Sequence, residues 1–352
     1  MKDKRAEQLQ TDPQGEPQAN PQGDPQASPH GDPQASPHGD PQEDSRGNSQ
    51  GDPQASPQGD PQGDSRTSLE DFRIRVLRYG KLQYRDLPWR RTSDPYEVLV
   101  SEVMLQQTQV KRVDGRWQSW LERFPTLDAL ACASSAEVLQ EWQGLGYNRR
   151  ALSLWKACQQ MSHNGGVVPS ELSELVRLPG IGPATAAGVR AFAFNLPGIY
   201  LETNVRTVFL HELFPQAEDV PDSALVPLVE ECCPPNNTNP EDDPKTWYWA
   251  LLDYGAYLKQ VLPNPSRRSR SYAKQSRFEG SRRQKRAELV RILLAEQQTG
   301  HSPCSEDLLC EQLSESETRA GREPVSLAFT RELLEELARE GFCHDIDGMW
   351  SI

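Results

Sequence analysis

The chain has 352 residues, a formal net charge of −13 and 36% hydrophobic residues, a size that suggests about two domains. No stretch approaches the roughly 20 apolar residues that a membrane-spanning helix needs. We therefore expect that the chain is not an integral membrane protein and that it has no membrane partner. The N-terminus lacks the hydrophobic core of a secretory signal, and the seven scattered cysteines form no disulfide framework. These features predict a cytoplasmic protein.

Residues 1–66 differ in composition from the rest of the chain. The unit Gly-Asp-Pro-Gln-Ala-Ser-Pro begins three times, at Gly23, Gly31 and Gly51. Twelve acidic and five basic residues give this segment −7 of the net charge, and it contains no aromatic residue, Val or Ile. Such a segment buries too little apolar surface to offset its ordering entropy, so we predict a disordered N-terminal tail.

Beyond the tail, apolar residues recur at helical spacing and alternating strand patterns are nearly absent, which predicts an all-α fold. The spacing is clearest at 69–77, 98–110, 127–142, 149–161 and 184–194. We assign residues 67–262 to one helical domain. An Arg- and Ser-rich segment at 263–286 separates it from a C-terminal unit at 287–352.

The C-terminal unit combines three helical patterns with a short final hairpin. The helices are predicted at 284–296, 304–313 and 328–340, and the hairpin turns at Asp347-Gly348. Three helices followed by a hairpin predict a winged-helix-like unit, which could grip duplex DNA or bind a protein.

A Gly-Pro turn lies between two predicted helices, in the string Leu178-Pro-Gly-Ile-Gly-Pro-Ala-Thr-Ala. Gly180 and Gly182 allow a sharp turn that comes close to a partner, and the start of the next helix, with Thr185, suits a phosphate. A plain turn between helices would have the same pattern, so both interpretations stay open at this point.

A longer pattern connects Leu87-Pro-Trp-Arg to Asn204-Val-Arg. Between them lie Ser101-Glu-Val-Met-Leu-Gln-Gln-Thr-Gln-Val, Phe124-Pro-Thr and Trp142-Gln-Gly-Leu-Gly-Tyr. With the Gly-Pro turn, these segments resemble the MutY adenine DNA glycosylases of the helix–hairpin–helix superfamily, over about residues 72–260. The resemblance implies a two-lobed helix–hairpin–helix core and a monomer that binds double-stranded DNA with a mismatch or an oxidised base. It also implies association with the nucleoid if the protein is prokaryotic.

Three residues are predicted to carry the chemistry. Glu102 lies in a largely apolar helical stretch, where desolvation would raise its pKa and keep it protonated near neutral pH, although a surface salt bridge is the alternative. The resemblance implies that Glu102 protonates adenine, that Glu202 stabilises positive charge on the sugar, and that Asn204 hydrogen-bonds these carboxylates. The family has Asp at the position of Glu202. Either the backbone is set further back, or the enzyme is impaired, or its substrate differs.

The resemblance also implies a set of DNA contacts. Gln106 and Gln107 would enter the gap left by an extruded base, and Tyr147 would wedge beside it, with core packing as the alternative for Tyr147. Arg90 is a further predicted DNA contact.

The segment 263–286 carries nine basic residues and one acidic residue in an otherwise acidic chain. We predict that it contacts the phosphate backbone through Arg267, Arg268, Arg270 and Lys274, with a solvated linker as the alternative.

Three departures from the family refine these expectations. The family's four cysteines, spaced C-x6-C-x2-C-x5-C, have no counterpart after Tyr257, so we predict no iron–sulfur cluster and no other cofactor or metal. Residues 287–352 are too short and too helical for the family's β-rich reader of 8-oxoguanine. Ala184 stands where relatives with lyase activity carry a Lys, so we predict a monofunctional enzyme.

Together these features predict a DNA N-glycosylase, a hydrolase of base-excision repair that flips out and removes adenine opposite G or 8-oxoguanine. Two alternatives stay open. One is a monofunctional glycosylase for T or U opposite G, and the other is a DNA-mismatch-binding protein that has lost catalysis.

Overall fold

The computed structural model describes residues 65–236, 239–274 and 276–352. All of the predicted tail except its last two residues therefore lies outside the described part of the chain. The described part is mainly helical and has a small three-stranded sheet near its C-terminal end. No helix in these three ranges is long and apolar enough to cross a membrane.

Twelve α-helices occur in the described residues before position 263. They are α1 (Ser65–Leu82), α2 (Pro95–Leu105), α3 (Val110–Val113), α4 (Arg116–Arg123), α5 (Leu127–Ala131), α6 (Ser135–Trp142), α7 (Arg149–His163), α8 (Leu172–Leu175), α9 (Pro183–Phe194), α10 (Thr203–Glu212), α11 (Asp222–Cys232) and α12 (Pro244–Val261). Short 3₁₀ turns cover Pro88–Arg90 and Pro265–Arg268.

Two predicted helices are interrupted in the structure. The stretch 127–142 is divided into α5 and α6, because Ser134 and Glu137 form a capping box that begins a new helix. The stretch 98–110 ends as a helix at Leu105, and Gln107, with a φ of 52°, turns the chain before α3. Apolar periodicity continues across both breaks, so it could not reveal them.

The helical region has two hydrophobic cores. One gathers Trp120 and Trp142 with other side chains from α2 and α4–α7, and the other gathers Phe72, Phe209 and Trp247 from α1, α10 and α12. Helices α2 and α9 supply side chains to both cores and pack against each other. They therefore lie at the junction of two lobes, which confirms the predicted two-lobed helical architecture.

A buried ion pair joins the turn Pro88–Arg90 to α12. Arg90 and Asp253 are 6% and 1% exposed, and the guanidinium donates to the two carboxylate oxygens at 2.7 and 2.9 Å. Arg85 donates a further hydrogen bond to Asp253 at 2.5 Å. The guanidinium of Arg90 is thus buried and already paired with a carboxylate, and its contact with DNA stays a prediction.

We expect Asp253→Asn to lower the free energy of unfolding by about 3–5 kcal/mol, because it leaves the buried Arg90 charge uncompensated. Urea unfolding with an unchanged slope would measure this loss. The control is Asp219→Asn, which breaks an exposed pair with Arg270 and should leave the midpoint unchanged. Equal midpoints for the two variants would contradict a stabilising role of the buried pair.

The C-terminal unit contains three helices and an antiparallel sheet. Its elements are α13 (Arg282–Gln298), β1 (Cys304–Ser305), α14 (Glu306–Arg319), α15 (Leu327–Glu340), β2 (His344–Ile346) and β3 (Met349–Ser351), with strand order β1-β3-β2. Asp347 and Gly348, both with positive φ, form the predicted turn of the hairpin. This arrangement confirms the winged-helix-like unit, whose buried side chains join the core of the first lobe.

Two helices of this unit carry an excess of acidic residues. Helix α14 carries five acidic residues and one arginine, and α15 carries four glutamates and two arginines. Phosphates repel such helices, so the observed charge opposes a grip on duplex DNA through α14 or α15.

Candidate active site

A cavity of about 430 Å³ opens where α2, α9, α10 and α12 meet, at the junction of the lobes. The structure brings seven residues of the predicted site to its wall: Arg90, Glu102, Gln106, Gln107, Thr185, Glu202 and Asn204. They come from four segments that are far apart in sequence. The apolar part of the wall includes Phe192 and Trp249, which suits a flat aromatic base.

Glu102 lies on the buried side of α2 and is 8% exposed. Burial, helped by the negative charge of Glu202, raises the pKa of Glu102 to about 8, although a hydrogen bond from Tyr200 acts in the opposite direction. The structure thus places Glu102 in a desolvated position, as predicted, rather than in a surface salt bridge. Its carboxyl is protonated at neutral pH.

Gly188 on α9 makes room for this carboxyl. A Cβ atom at position 188 would lie 2.2 Å from Glu102 Oε2 and 2.7 Å from a ring carbon of Tyr200. Only glycine therefore allows α9 to pack against the Glu102 side chain. Sequence analysis missed both Gly188 and Tyr200, and the single signal for Tyr200 is its place two residues before Glu202.

Glu202 and Asn204 lie at the start of α10, and Glu202 is the N-cap residue. Burial raises the pKa of Glu202, while the charge of Arg206 and a backbone hydrogen bond from Thr203 oppose this shift. Arg206 forms an ion pair with Asp222 through two hydrogen bonds, at 3.0 and 2.8 Å. Its guanidinium therefore has a structural partner and takes no direct part in the chemistry. The site therefore holds two desolvated carboxyl groups.

The side-chain oxygen of Asn204 is buried and accepts no hydrogen bond from the described residues. An unpaired buried amide oxygen costs about 1–3 kcal/mol, so this atom is available for a ligand in the cavity. The backbone of Asn204 packs directly on α12, since a Cβ at Gly255 would lie 2.2 Å from its carbonyl oxygen. The missing side chain of Gly255 thus allows the start of α10 to lie close to α12.

The loop after α2 is joined to the Gly-Pro turn. Gln106 Nε2 donates to Thr185 Oγ1 at 2.9 Å, and Thr185 is 7% exposed. Thr185 therefore positions Gln106, and the DNA contact of Gln106 stays a prediction. Gly180, with a φ of 76°, packs so closely on α7 that an added Cβ would lie 2.5 Å from Ser153 Cβ, whereas Gly182 is exposed and caps α9.

Residues 144–147 form a turn, here called the wedge turn, that ends at Tyr147 with a φ of 50°. The guanidinium of Arg150 donates to the carbonyl of Gly146 at 3.0 Å and to the carbonyls of Met104 and Gln106 at 2.9 and 2.6 Å. One side chain thus ties the end of α2 to the wedge turn. Sequence analysis missed Arg150, although its five donors next to a predicted wedge were a possible signal.

Residues 100–224 match the family model described as HhH-GPD superfamily base excision DNA repair protein. The chain is 41% identical over 174 residues to the adenine DNA glycosylase of Mycolicibacterium smegmatis, which covers 49% of this chain and 58% of that protein. It is 42% identical over 146 residues to the adenine DNA glycosylase of Mycobacterium tuberculosis, covering 41% and 48%. The two-lobed region is therefore similar to the adenine DNA glycosylases of the HhH-GPD superfamily. The chain spans about half the length of these curated relatives.

A solved structure of a thermostable thymine-DNA glycosylase covers 55% of this chain and 88% of its own, at 23% identity and a TM-score of 0.48.

The basic segment 263–286 is used largely for internal contacts. Arg268 donates to the carbonyl of Leu210 at 2.8 Å and to that of Phe214, and so caps the end of α10. The structure thereby corrects the prediction of Arg268 as a phosphate contact. Arg270 pairs with Asp219 on the surface, and Arg267 and Lys274 are exposed. Phosphate contact therefore stays a prediction for these three residues only.

The residues after α12 do not fit the iron–sulfur cluster that the family resemblance implies. All seven cysteines are free thiols, and in the described ranges no group of three or more His, Cys, Asp or Glu is placed to hold a metal ion. The 3₁₀ turn Pro265–Arg268 follows α12 and packs against α10. This turn contains no cysteine, so it offers no thiolate ligand for iron. The absence of a cluster stays a prediction.

Proposed function

We propose that this chain is a monofunctional DNA glycosylase of base-excision repair that hydrolyses the N-glycosidic bond of adenine opposite G or 8-oxoguanine. The observation that carries the proposal is the buried Glu102 carboxyl, protonated at neutral pH, on the wall of a cavity large enough for a purine. The relatives named adenine DNA glycosylase match the same region and support adenine as the base.

Different surroundings favour different roles for the two carboxyl groups. The charge of Glu202 helps to raise the pKa of Glu102, whereas the charge of Arg206 acts to lower the pKa of Glu202, which favours the proton on Glu102. Glu102 is then the acid and Glu202 the anion.

The reaction follows from these roles. Glu102 gives its proton to a ring nitrogen of adenine, so that the base leaves as a neutral molecule when the bond to the sugar breaks. Glu202 stabilises the positive charge that develops on the sugar. A water molecule adds to the sugar carbon that carried the base. The Glu102 carboxylate takes up a proton from this water and returns to its acid form. Asn204 offers its unpaired amide oxygen to the sugar or to the water.

The extra methylene of Glu202 is compatible with this role. Gly255 lets the first turn of α10 lie against α12, and Glu202 lines the cavity from there. The three explanations for Glu in place of Asp all stay hypotheses.

Extrusion of the base requires a group that fills the gap in the stack. In this proposal Tyr147 of the wedge turn fills the gap together with Gln107, which lines the cavity, and the exposed start of α9 at Gly182 binds a phosphate through backbone amides. Ala184 has no nucleophile, so hydrolysis without a lyase step is the proposed outcome.

The experiment is single-turnover cleavage of labelled duplexes that contain A opposite 8-oxoguanine, A opposite G, T opposite G or U opposite G, followed by alkali. We expect strand breaks only after alkali and only at adenine. Breaks at T or U alone would show that the substrate is T or U and not adenine. Mismatch binding without any break would show a DNA-binding protein without glycosylase activity.

A further inference from the structure

The ring of Tyr147 is contacted by a residue of the C-terminal unit. The guanidinium carbon of Arg283, the second residue of α13, lies 5.3 Å from the centre of the Tyr147 ring, and its Nη1 is 3.4 Å from the Tyr147 hydroxyl. Arg150 lies 5.5 Å from the same centre. The wedge aromatic is therefore held by two cations, one from each side of the boundary between the glycosylase domain and the C-terminal unit.

Arg283 differs from its basic neighbours in what it contacts. Arg282, Lys285 and Arg286 all form ion pairs with glutamates of α14 or α15. Arg283 instead stacks on aromatic rings, those of Tyr147 and Phe278, and donates to the Ser276 carbonyl. Its position is thus set by Tyr147 and by the nearby residues 276 and 278, and not by ion pairs with the acidic helices.

The C-terminal unit is fixed next to the wedge turn. Arg149, two residues after Tyr147, pairs with Glu340 at the end of α15 at 2.8 Å, and Arg286 pairs with the same carboxylate at 2.8 Å. The buried side chains of α13, such as Leu289 and Leu293, belong to the same core as Trp142 and Leu145 near the turn. Arg283 therefore reaches Tyr147 from a rigid support.

We propose that Arg283 is a positioning residue that holds Tyr147 ready to enter the DNA stack, so that the C-terminal unit takes part in base extrusion. This inference rests on the proposed function. A stacked guanidinium restricts rotation of the ring, and an aromatic group that is already ordered loses less entropy when it inserts. In this proposal the unit acts through the contact of Arg283 with Tyr147, and its acidic helices α14 and α15 have no part in phosphate binding.

The test uses the full chain and a duplex with fluorescent 2-aminopurine at the target position opposite G, next to the matched adenine duplex. Four variants are compared with wild type: Arg283→Ala, Tyr147→Ala, the double variant, and Arg282→Ala. Arg282 is the matched control, because it is the neighbouring arginine on α13 and pairs with Glu332 and Glu336 rather than with Tyr147.

We expect Arg283→Ala to reduce both the rise in fluorescence on binding and the single-turnover rate of adenine release, the rate by roughly fivefold. The double variant should be no slower than Tyr147→Ala alone, since both changes remove the same wedge. Arg282→Ala should stay within about twofold of wild type. A normal fluorescence rise in Arg283→Ala, or losses that multiply in the double variant, would overturn the inference.

The fluorescence measurement separates this inference from the proposed function. A wild-type protein that extrudes 2-aminopurine but releases no adenine would contradict the proposed function, and the Arg283→Ala comparison would still decide the role of Arg283. A wild-type protein that binds the duplex without any rise in fluorescence would contradict both.

Discussion

Glu102→Gln is expected to lower the single-turnover rate of adenine release by about 10²–10⁴-fold, the range that a positioned general acid supplies. Glutamine keeps the shape of the side chain and a hydrogen-bonding group next to Tyr200, but it has no proton to give to the leaving base. The rate is measured on duplex containing A opposite 8-oxoguanine, and duplex affinity is measured on the same preparation. Affinity should stay within a few fold of wild type.

The stability of the variant provides the control for Glu102→Gln. The folded protein raises the pKa of Glu102 from 4.5 to about 8, so between these pH values the folded state binds more protons than the unfolded state. The carboxyl therefore lowers the free energy of unfolding increasingly as pH rises through this window. Glutamine removes that cost, and the variant should be at least as stable as wild type at pH 8. A variant that folds normally and still releases adenine at the wild-type rate would exclude Glu102 as the acid.

Gly188→Ala is expected to lower the same rate by about 10²-fold, because the methyl group would occupy the position of the Glu102 carboxyl, 2.2 Å from Oε2. The carboxyl, the Tyr200 ring or the α9 backbone has to move, and a displacement of about 1 Å is enough for a loss of this size. Overpacking should also lower the free energy of unfolding by about 1–3 kcal/mol. Single-turnover cleavage and urea unfolding measure the two effects.

A matched control for this variant is Gly198→Ala, in the loop that follows α9. A Cβ at position 198 would meet its nearest neighbour, Ala187 Cβ, at 3.4 Å, which is an ordinary contact. Gly198→Ala should therefore keep the wild-type rate. Equal rates for Gly188→Ala and Gly198→Ala would show that the close packing of α9 on Glu102 is not needed for catalysis.

The central residues of the site were predictable from the sequence because they lie in strings with a distinctive order. Glu102 follows Ser101 in an apolar stretch, and its burial in α2 agrees with the predicted desolvation. Glu202 and Asn204 lie together at the start of a helix, and the structure brings them to the cavity that Glu102 also lines. Local sequence patterns were sufficient to predict these residues, because each lies within a short string of neighbours.

Other features depend on contacts between distant parts of the chain, which a single sequence does not reveal. Arg90 and Arg268 resemble DNA-binding arginines in sequence, but a buried carboxylate and a helix end, respectively, occupy their donors. Gly188 is one of many small residues in α9, and its role depends on a side chain 86 positions earlier. The link between Arg283 and Tyr147 spans 136 positions and was equally invisible.

The most direct test of the protonated Glu102 is the pH dependence of single-turnover adenine release by the wild-type protein, on duplex containing A opposite 8-oxoguanine. With a pKa of about 8, the acid form of Glu102 predominates below that pH and declines about tenfold for each unit above it. The account predicts a rate that is highest near neutral pH, falls above pH 8, and also falls in acid as Glu202 takes up a proton. A rate that stays constant from pH 7 to roughly pH 9.5 would contradict it.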